Sequence, residues 1–420
     1  MLDRNTPPPF VRSTSFELLK PLSITVPAGA TILFVAGGMQ DVLHIELIFN
    51  AGRWFEQETG VSHFTSNLLL KGTGKKNSFT IAEIFDQYGA HVEISPGLDT
   101  VSVSLYTLVN NLQPVLQLFH EVIAEPAFPE KELKQSKSIF LQNLKVNNEK
   151  TSFLASKLIR KKIFGLNHPY GKDFEESNIK GIQPEQLSSF HNNFFRGAQI
   201  IVSGKISEQT QKLVAETFAS FRNTENKNQP TVSSDNSMTS EAYVEKEGSM
   251  QTSIRLGKKS VLRSNPDYVD VVFLNHILGG YFGSRLMKNI REEKGLSYGI
   301  SSSIQALKHD CFMAIGADVN KENRMLATKE IKLELDKLCN DKIKHEEIET
   351  ARYHFIGSLQ SELSTPFAHA EKIKTILLHN LPVNFYQRMI ERINTITDAD
   401  LVNIAQKHFT ADSFTEVAVG

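Results

Sequence analysis

The chain has 420 residues, 40% of them hydrophobic and 22% charged, which is enough apolar material for two or three cores. Its 46 basic and 47 acidic residues nearly cancel, leaving no excess positive field to hold nucleic acid or an anionic membrane surface. Only two cysteines occur, Cys311 and Cys339, and thiols this sparse read as reduced core residues rather than a disulfide framework. The start, MLDRNTPPPFVRSTSF, has no cationic head followed by an apolar stretch, and the longest apolar runs, ATILFVA and VSVSLYTLV, are strand-sized. The expectation is a cytoplasmic protein with no membrane span and no nucleic-acid partner.

In chain order, alternating patterns in TILFVAGG (31–38) and LHIELIFNAG (43–52) predict strands. Val61, Phe64 and Leu68 recur at i, i+3 and i+7, which predicts a helix over 61–70 with these three on its buried side. A strand pair follows in HVEISPGLDTVSVSLYTL (91–108). Amphipathic helices are expected over 112–123, 130–145 and 151–164, then a helix over 184–194 and a strand in AQIIVSG (198–204). Residues 223–240, NTENKNQPTVSSDNSMTS, are polar and poor in large apolar side chains, the composition of an exposed linker.

Beyond that stretch the plan repeats. GIQPEQLSSFHNNFFRGAQIIVSG (181–204) is similar to TITDADLVNIAQKHFTADSFTEVAVG (395–420), with Ile182/Ile396, Leu187/Leu401 and Phe195/Phe409 aligned at a constant offset of 214. Upstream, Phe128/Ile343, Glu132/Glu347 and Leu133/Ile348 align at an offset of 215. A period of half the chain means a duplicated domain rather than a solenoid. The expected fold is α+β: two duplicated two-layer α/β domains, 1–222 and 241–420, joined by the polar linker 223–240.

One stretch carries the outline of a metal helix. In GVSHFTSNLLLKGT (60–73), His63 and Asn67 are four residues apart and so neighbours on one helix face, with Ser66 beside them. The spacing suits two ligands and a base, but the side chains do not. Catalytic zinc takes three ligands from His, Cys or carboxylate, an Asn amide is a poor ligand, and a Ser hydroxyl cannot act as a carboxylate base. Taken alone, a histidine on an amphipathic helix accounts for HFTSN equally well. His120 (HEVIA) and His345 (HEEIE) lack a second histidine four residues on and read as helix-surface groups. The glycine-rich GGYFGSRL (279–286) reads as a tight turn ahead of a helix. No Cys-x-x-Cys, P-loop or G-x-S-x-G pattern is present.

In combination these segments resemble the inverzincin peptidases, the pitrilysin and insulinase family of zinc peptidases, and especially two-subunit members such as the mitochondrial processing peptidase. GVSHFTSNLLLKGT looks like that family's G-x-A-H-F-x-E-H-x-x-x-K-G-T helix. FPEKELKQSKSIFLQNL (128–144) is similar to the helix that carries the third ligand, and HPYG (168–171) also fits. NPDYVDVVFLNHILGGYFGSRLMKNIREEKGLSYGISSS (265–303) looks like the family's C-terminal signature.

The resemblance implies a metallohydrolase-like pair of domains in a clamshell arrangement. It puts Ser66 where the family has its glutamate base, Asn67 where it has its second histidine, and Asn143, 76 residues past Asn67, where it has its ligand glutamate. Only His63 of that set matches. Arg291 and Tyr298, seven residues apart in REEKGLSY, do match the family's R-E-x-x-G-L-x-Y pair. In the family these reach toward substrate at the zinc, where Arg can donate to a carbonyl and the Tyr hydroxyl can stabilise an oxyanion. The implied function is the non-catalytic subunit of a heterodimeric zinc peptidase acting on peptides or unfolded polypeptides. Zinc would sit in a paralogous partner with an intact H-x-x-E-H, and this chain would bind none. The alternative is a catalytically inert structural or binding module of the same fold. A standalone metallopeptidase with unusual ligands is a third reading.

Overall fold

The computed structural model describes residues 16–223 and 242–420. The expected linker therefore lies, except for Asn223, outside the described residues.

The first half contains β1 (Leu22–Thr25), β2 (Thr31–Ala36), β3 (Val42–Phe49), α1 (Val61–Asn67), α2 (Ser78–Gln87), β4 (His91–Pro96) and β5 (Val101–Leu108). Then come α3 (Leu112–Ala124), α4 (Glu130–Asn148), α5 (Thr151–Phe164), α6 (Glu176–Gly181), α7 (Pro184–Phe194), β6 (Gln199–Gly204) and α8 (Glu208–Thr217). The second half contains β7 (Ala242–Val244), β8 (Gln251–Lys259), α9 (Tyr268–Asn275), β9 (Ser297–Ala306), β10 (Cys311–Asn320) and α10 (Arg324–Asn340). It ends with α11 (His345–Ser361), α12 (Pro366–Leu378), α13 (Phe385–Thr395), α14 (Asp398–His408) and β11 (Thr415–Val419).

Two sheets result, in the orders β1-β2-β6-β3-β5-β4 and β7-β11-β8-β10-β9. Their cores of strands correspond one to one. In each, a parallel pair (β2 with β6, β7 with β11) is followed by antiparallel partners. The helix that begins at Pro184 has its counterpart at Asp398, and both start on reciprocal caps: Gln183 with Gln186, Thr397 with Asp400. The duplication seen in the sequence is thus a duplication of structure.

The helices expected over 151–164 and 184–194 have those bounds. The helix expected over 61–70 ends at Asn67 and passes into a 3-10 turn, Leu69–Lys71. Helices α2 and α8, which the apolar pattern did not single out, each start at a side-chain cap, from Asn77 and Ser207.

The halves are joined by exchange of helices. Helix α5 of the first half lies across β8 and β11 of the second sheet, and α12 of the second half lies across β2 and β6 of the first. Ala370 and Ile373 of α12 pack on Val35, Ile48 and Ile201, the sheet face turned away from α1 and α3. Because helices cover both faces, β3 is buried from Leu43 to Phe49 rather than on alternate residues. On the second sheet, Ile159 and Ile163 press on β8 at Gly257. A Cβ there would stand 2.8 Å from a side-chain atom of each, so a larger residue would force these isoleucines to shift.

Polar contacts complete the joint. The turn between β9 and β10 enters the first half, with Lys308 N donating to Asp99 Oδ2 at 2.9 Å and the His309 ring stacked on Trp54 at 4.1 Å. The Tyr170 hydroxyl donates to Asp99 and accepts from His309 N at 3.3 Å. Beneath α12, Lys374 Nζ lies 2.9 Å from Oε1 of Glu46, a carboxylate only 4% exposed on β3. Lys374→Met leaves that carboxylate without its cation and should cost about 3–5 kcal/mol in urea unfolding. Pairing it with Glu46→Gln should recover most of the loss.

Candidate functional site

Two separate groups of the sequence-predicted residues form in the structure. The first is on α1. Its N-terminus is held by Glu56, whose Oε2 accepts from Gly60 N at 3.0 Å and Ser62 N at 3.2 Å. Burial pushes the Glu56 carboxyl above its usual range, against the pull of Arg53 and those two N–H groups. Ser66 is fully buried and its hydroxyl donates to Ser62 O at 2.7 Å, so it faces the helix backbone.

The Asn67 amide folds back over His63. Its Nδ2 donates to His63 O at 2.8 Å and lies 3.3 Å from Nε2 and 3.4 Å from Nδ1 of the ring. The same ring is boxed by three phenylalanines: Phe64 on its own helix, Phe140 of α4 at 4.8 Å between centroids, and Phe174 at 5.9 Å. Desolvation by these neighbours, with Arg53 adding to it, lowers the His63 pKa to about 4. The Arg53 guanidinium lies over Phe174, 4.5 Å from its centroid. Asn143 is exposed on α4, three residues beyond Phe140.

These residues do not fit a zinc ion. The donor set is one imidazole and two amides, the Asn67 amide nitrogen lies against the ring within 3.4 Å of both its nitrogens, and a guanidinium adds positive charge nearby. Among the described residues no three His, Cys, Asp or Glu side chains converge on one point.

The second group is on the opposite half. Arg291 belongs to a stretch wound with π-turns, Met287–Glu293, and Tyr298 is the second residue of β9. The π-turn is anchored by Asn289, buried, which donates to Glu334 Oε1 at 2.7 Å and Glu330 Oε2 at 3.2 Å on α10. It closes through Lys294 N to Asn289 O and ends at Gly295, whose φ of +58° favours glycine. Strand β9 then begins with a bulge. The register against β10 slips between Val319↔Ser297 and Ala317↔Ile300, so Tyr298 and Gly299 face the single residue Asp318.

The bulge re-aims Tyr298 outward, where it is 90% exposed. The Arg291 guanidinium lies between two rings, 5.0 Å from Tyr298 and 4.8 Å from Phe282, itself 59% exposed. Phe282, inside the glycine-rich GGYFGSRL, is the member that the sequence reading missed. Its signal was an aromatic residue flanked by turn glycines. No hydrogen bond, ion pair or ring contact joins this stack to His63, Asn67 or Asn143 among the described residues.

Comparison with known proteins bears on both groups. Residues 37–171 match the profile of "Insulinase (Peptidase family M16)", and residues 181–353 match that of "Peptidase M16 inactive domain". The chain belongs to the M16, or insulinase, peptidase family. It is 25% identical over 358 residues to the "Uncharacterized zinc protease YmxG" of Bacillus subtilis, covering 84% of this chain and 86% of that one. It is 19% identical over 382 residues to the "Non-peptidase homolog YmxG" of Helicobacter pylori, covering 88% and 87%. Among solved structures, a peptidase M16 inactive domain from Pseudomonas fluorescens superposes with a TM-score of 0.87 at 25% identity, over 96% of this chain and 98% of that one. The profile matched by residues 181–353 is described as the family's inactive domain, and these two curated relatives are named respectively as a zinc protease and as a non-peptidase homolog.

The aromatic box around His63 can be tested directly. Phe140→Ala removes the ring nearest the imidazole and lets water in, so the His63 pKa should rise from about 4 toward its ordinary value near 6.5. An NMR titration of the imidazole signals reads this. Because the folded pKa is depressed, the unfolded chain binds the proton more tightly, and this contribution is complete above pH 6.5 and lost as pH falls toward 4. His63→Gln should therefore flatten the acid limb of the stability curve in that window.

Proposed function

We propose that this chain is the non-catalytic subunit of a heterodimeric M16 zinc peptidase. One observation carries the reading: an arginine and two large aromatic rings are held in an ordered, exposed stack on a chain whose own metal helix lacks the ligands. Exposed aromatic surface costs solubility and contributes nothing to this fold's core, so a second molecule accounts for it better than stability does. The partner is a paralogue with an intact H-x-x-E-H and its glutamate ligand, and zinc resides there. Arg291 then donates to a carbonyl of a bound peptide, and the Tyr298 hydroxyl donates to the oxygen on which negative charge develops. Peptides or unfolded polypeptides suit such a shared site, since a folded substrate does not fit between two enclosing chains.

The rival reading is a scaffold or binding module of the same fold. It is favoured by the packing at the α1 site, where Phe64, Phe140 and Phe174 crowd the imidazole, but it gives no role to the Arg291 stack. Two free cysteines, both buried, support a reducing compartment, and we place the protein in the cytoplasm on that ground.

Co-expression with an H-x-x-E-H paralogue from the same genome tests the proposal. Each chain alone should leave a quenched peptide library intact, and the pair should cleave it. Arg291→Ala and Tyr298→Phe should each lower kcat of the pair by about tenfold to a hundredfold, the scale of one lost transition-state donor. Cleavage that ignores both substitutions would decide for the scaffold.

A further inference from the structure

Near the Arg291 stack, two histidines from different elements meet. His276 follows α9 at the start of a π-turn, His276–Gly280, and is 9% exposed. His354 lies on α11 and is exposed. His354 Nδ1 stands 3.2 Å from His276 Nε2, with ring centroids 5.1 Å apart and planes inclined by 34°. The Tyr281 ring covers both, at 4.6 Å from His276 and 4.7 Å from His354. Gly280 makes room for this arrangement, since a Cβ there would lie 2.9 Å from His276 Nδ1.

The separation has two chemical readings. It is at the outer limit of an N–H···N hydrogen bond. It is also close to the ~3.3 Å between two imidazole nitrogens that share one tetrahedral zinc at about 2.0–2.1 Å.

We propose that His276 and His354 form a two-histidine chelate for a divalent transition-metal ion such as Zn²⁺, distinct from the degenerate α1 helix, with water filling the remaining positions. No third His, Cys, Asp or Glu joins the pair among the described residues, so the site is open and exchangeable rather than structural. For both nitrogens to present lone pairs, the ring that donates the 3.2 Å bond shifts its proton to its other nitrogen. Both rings stay neutral, and no proton is lost. A bound ion ties α9 to α11 beneath Tyr281. The next residue, Phe282, stacks on Arg291, so the metal stiffens the turn that holds the arginine.

The test is isothermal titration of the untagged, metal-stripped chain with Zn²⁺ at pH 7.5. One saturable equivalent is expected, with the imidazole NMR signals of two histidines shifting together. His354→Ala, at an exposed position, and His276→Gln should each weaken binding by more than about tenfold. His63→Ala should leave it unchanged. Absence of saturable binding, or binding that survives His354→Ala, overturns the proposal, as does binding that His63→Ala abolishes.

Discussion

The exchange of α5 and α12 between the halves is the contact on which the rest of the structure depends. Each sheet has one face covered by its own helices and the other by a helix from the opposite half. Without α12, the first sheet would present Val35, Ile48 and Ile201 to water, at a cost of about 1.5–3 kcal/mol for each large aliphatic side chain. Neither half is therefore complete alone. Their mutual orientation is fixed by packing, with Gly257 and the buried Glu46–Lys374 pair setting how closely the helices approach.

That rigidity explains how two residue groups on different halves hold defined and opposite characters. On α1, the space around the histidine is filled. Phe64, Phe140 and Phe174 crowd the half-buried imidazole, and the amide of Asn67 lies against its ring. On β9, the chain does the reverse: a π-turn, a positive-φ glycine and a bulge present Tyr298 and Arg291 to solvent. Burial removes chemistry from the first group, and irregular backbone exposes it in the second.

The turn at residues 279–283 links the second group to the rest of its half. Its consecutive aromatics, Tyr281 and Phe282, divide their contacts: Tyr281 stacks on the paired histidines and Phe282 on Arg291. The glycines around them, read in the sequence only as turn-formers, allow rings and backbone to approach within van der Waals distance.

Much of this was legible from residue order. The half-chain repeat, the strands, the helices 151–164 and 184–194 and the loss of ligand types at Ser66, Asn67 and Asn143 all follow from local pattern or side-chain identity, which a linear sequence records. The Arg291–Tyr298 spacing was also visible. What only the tertiary structure decided are contacts between residues far apart in the chain. Periodicity shows that α5 has an apolar side but not that the other half's sheet covers it, and α12 was not read from the sequence. Phe140 lies 77 residues from the ring it boxes, and His354 lies 78 residues from His276. Such pairings depend on how packed layers orient the helices, and so on the sum of all burial rather than on any one segment.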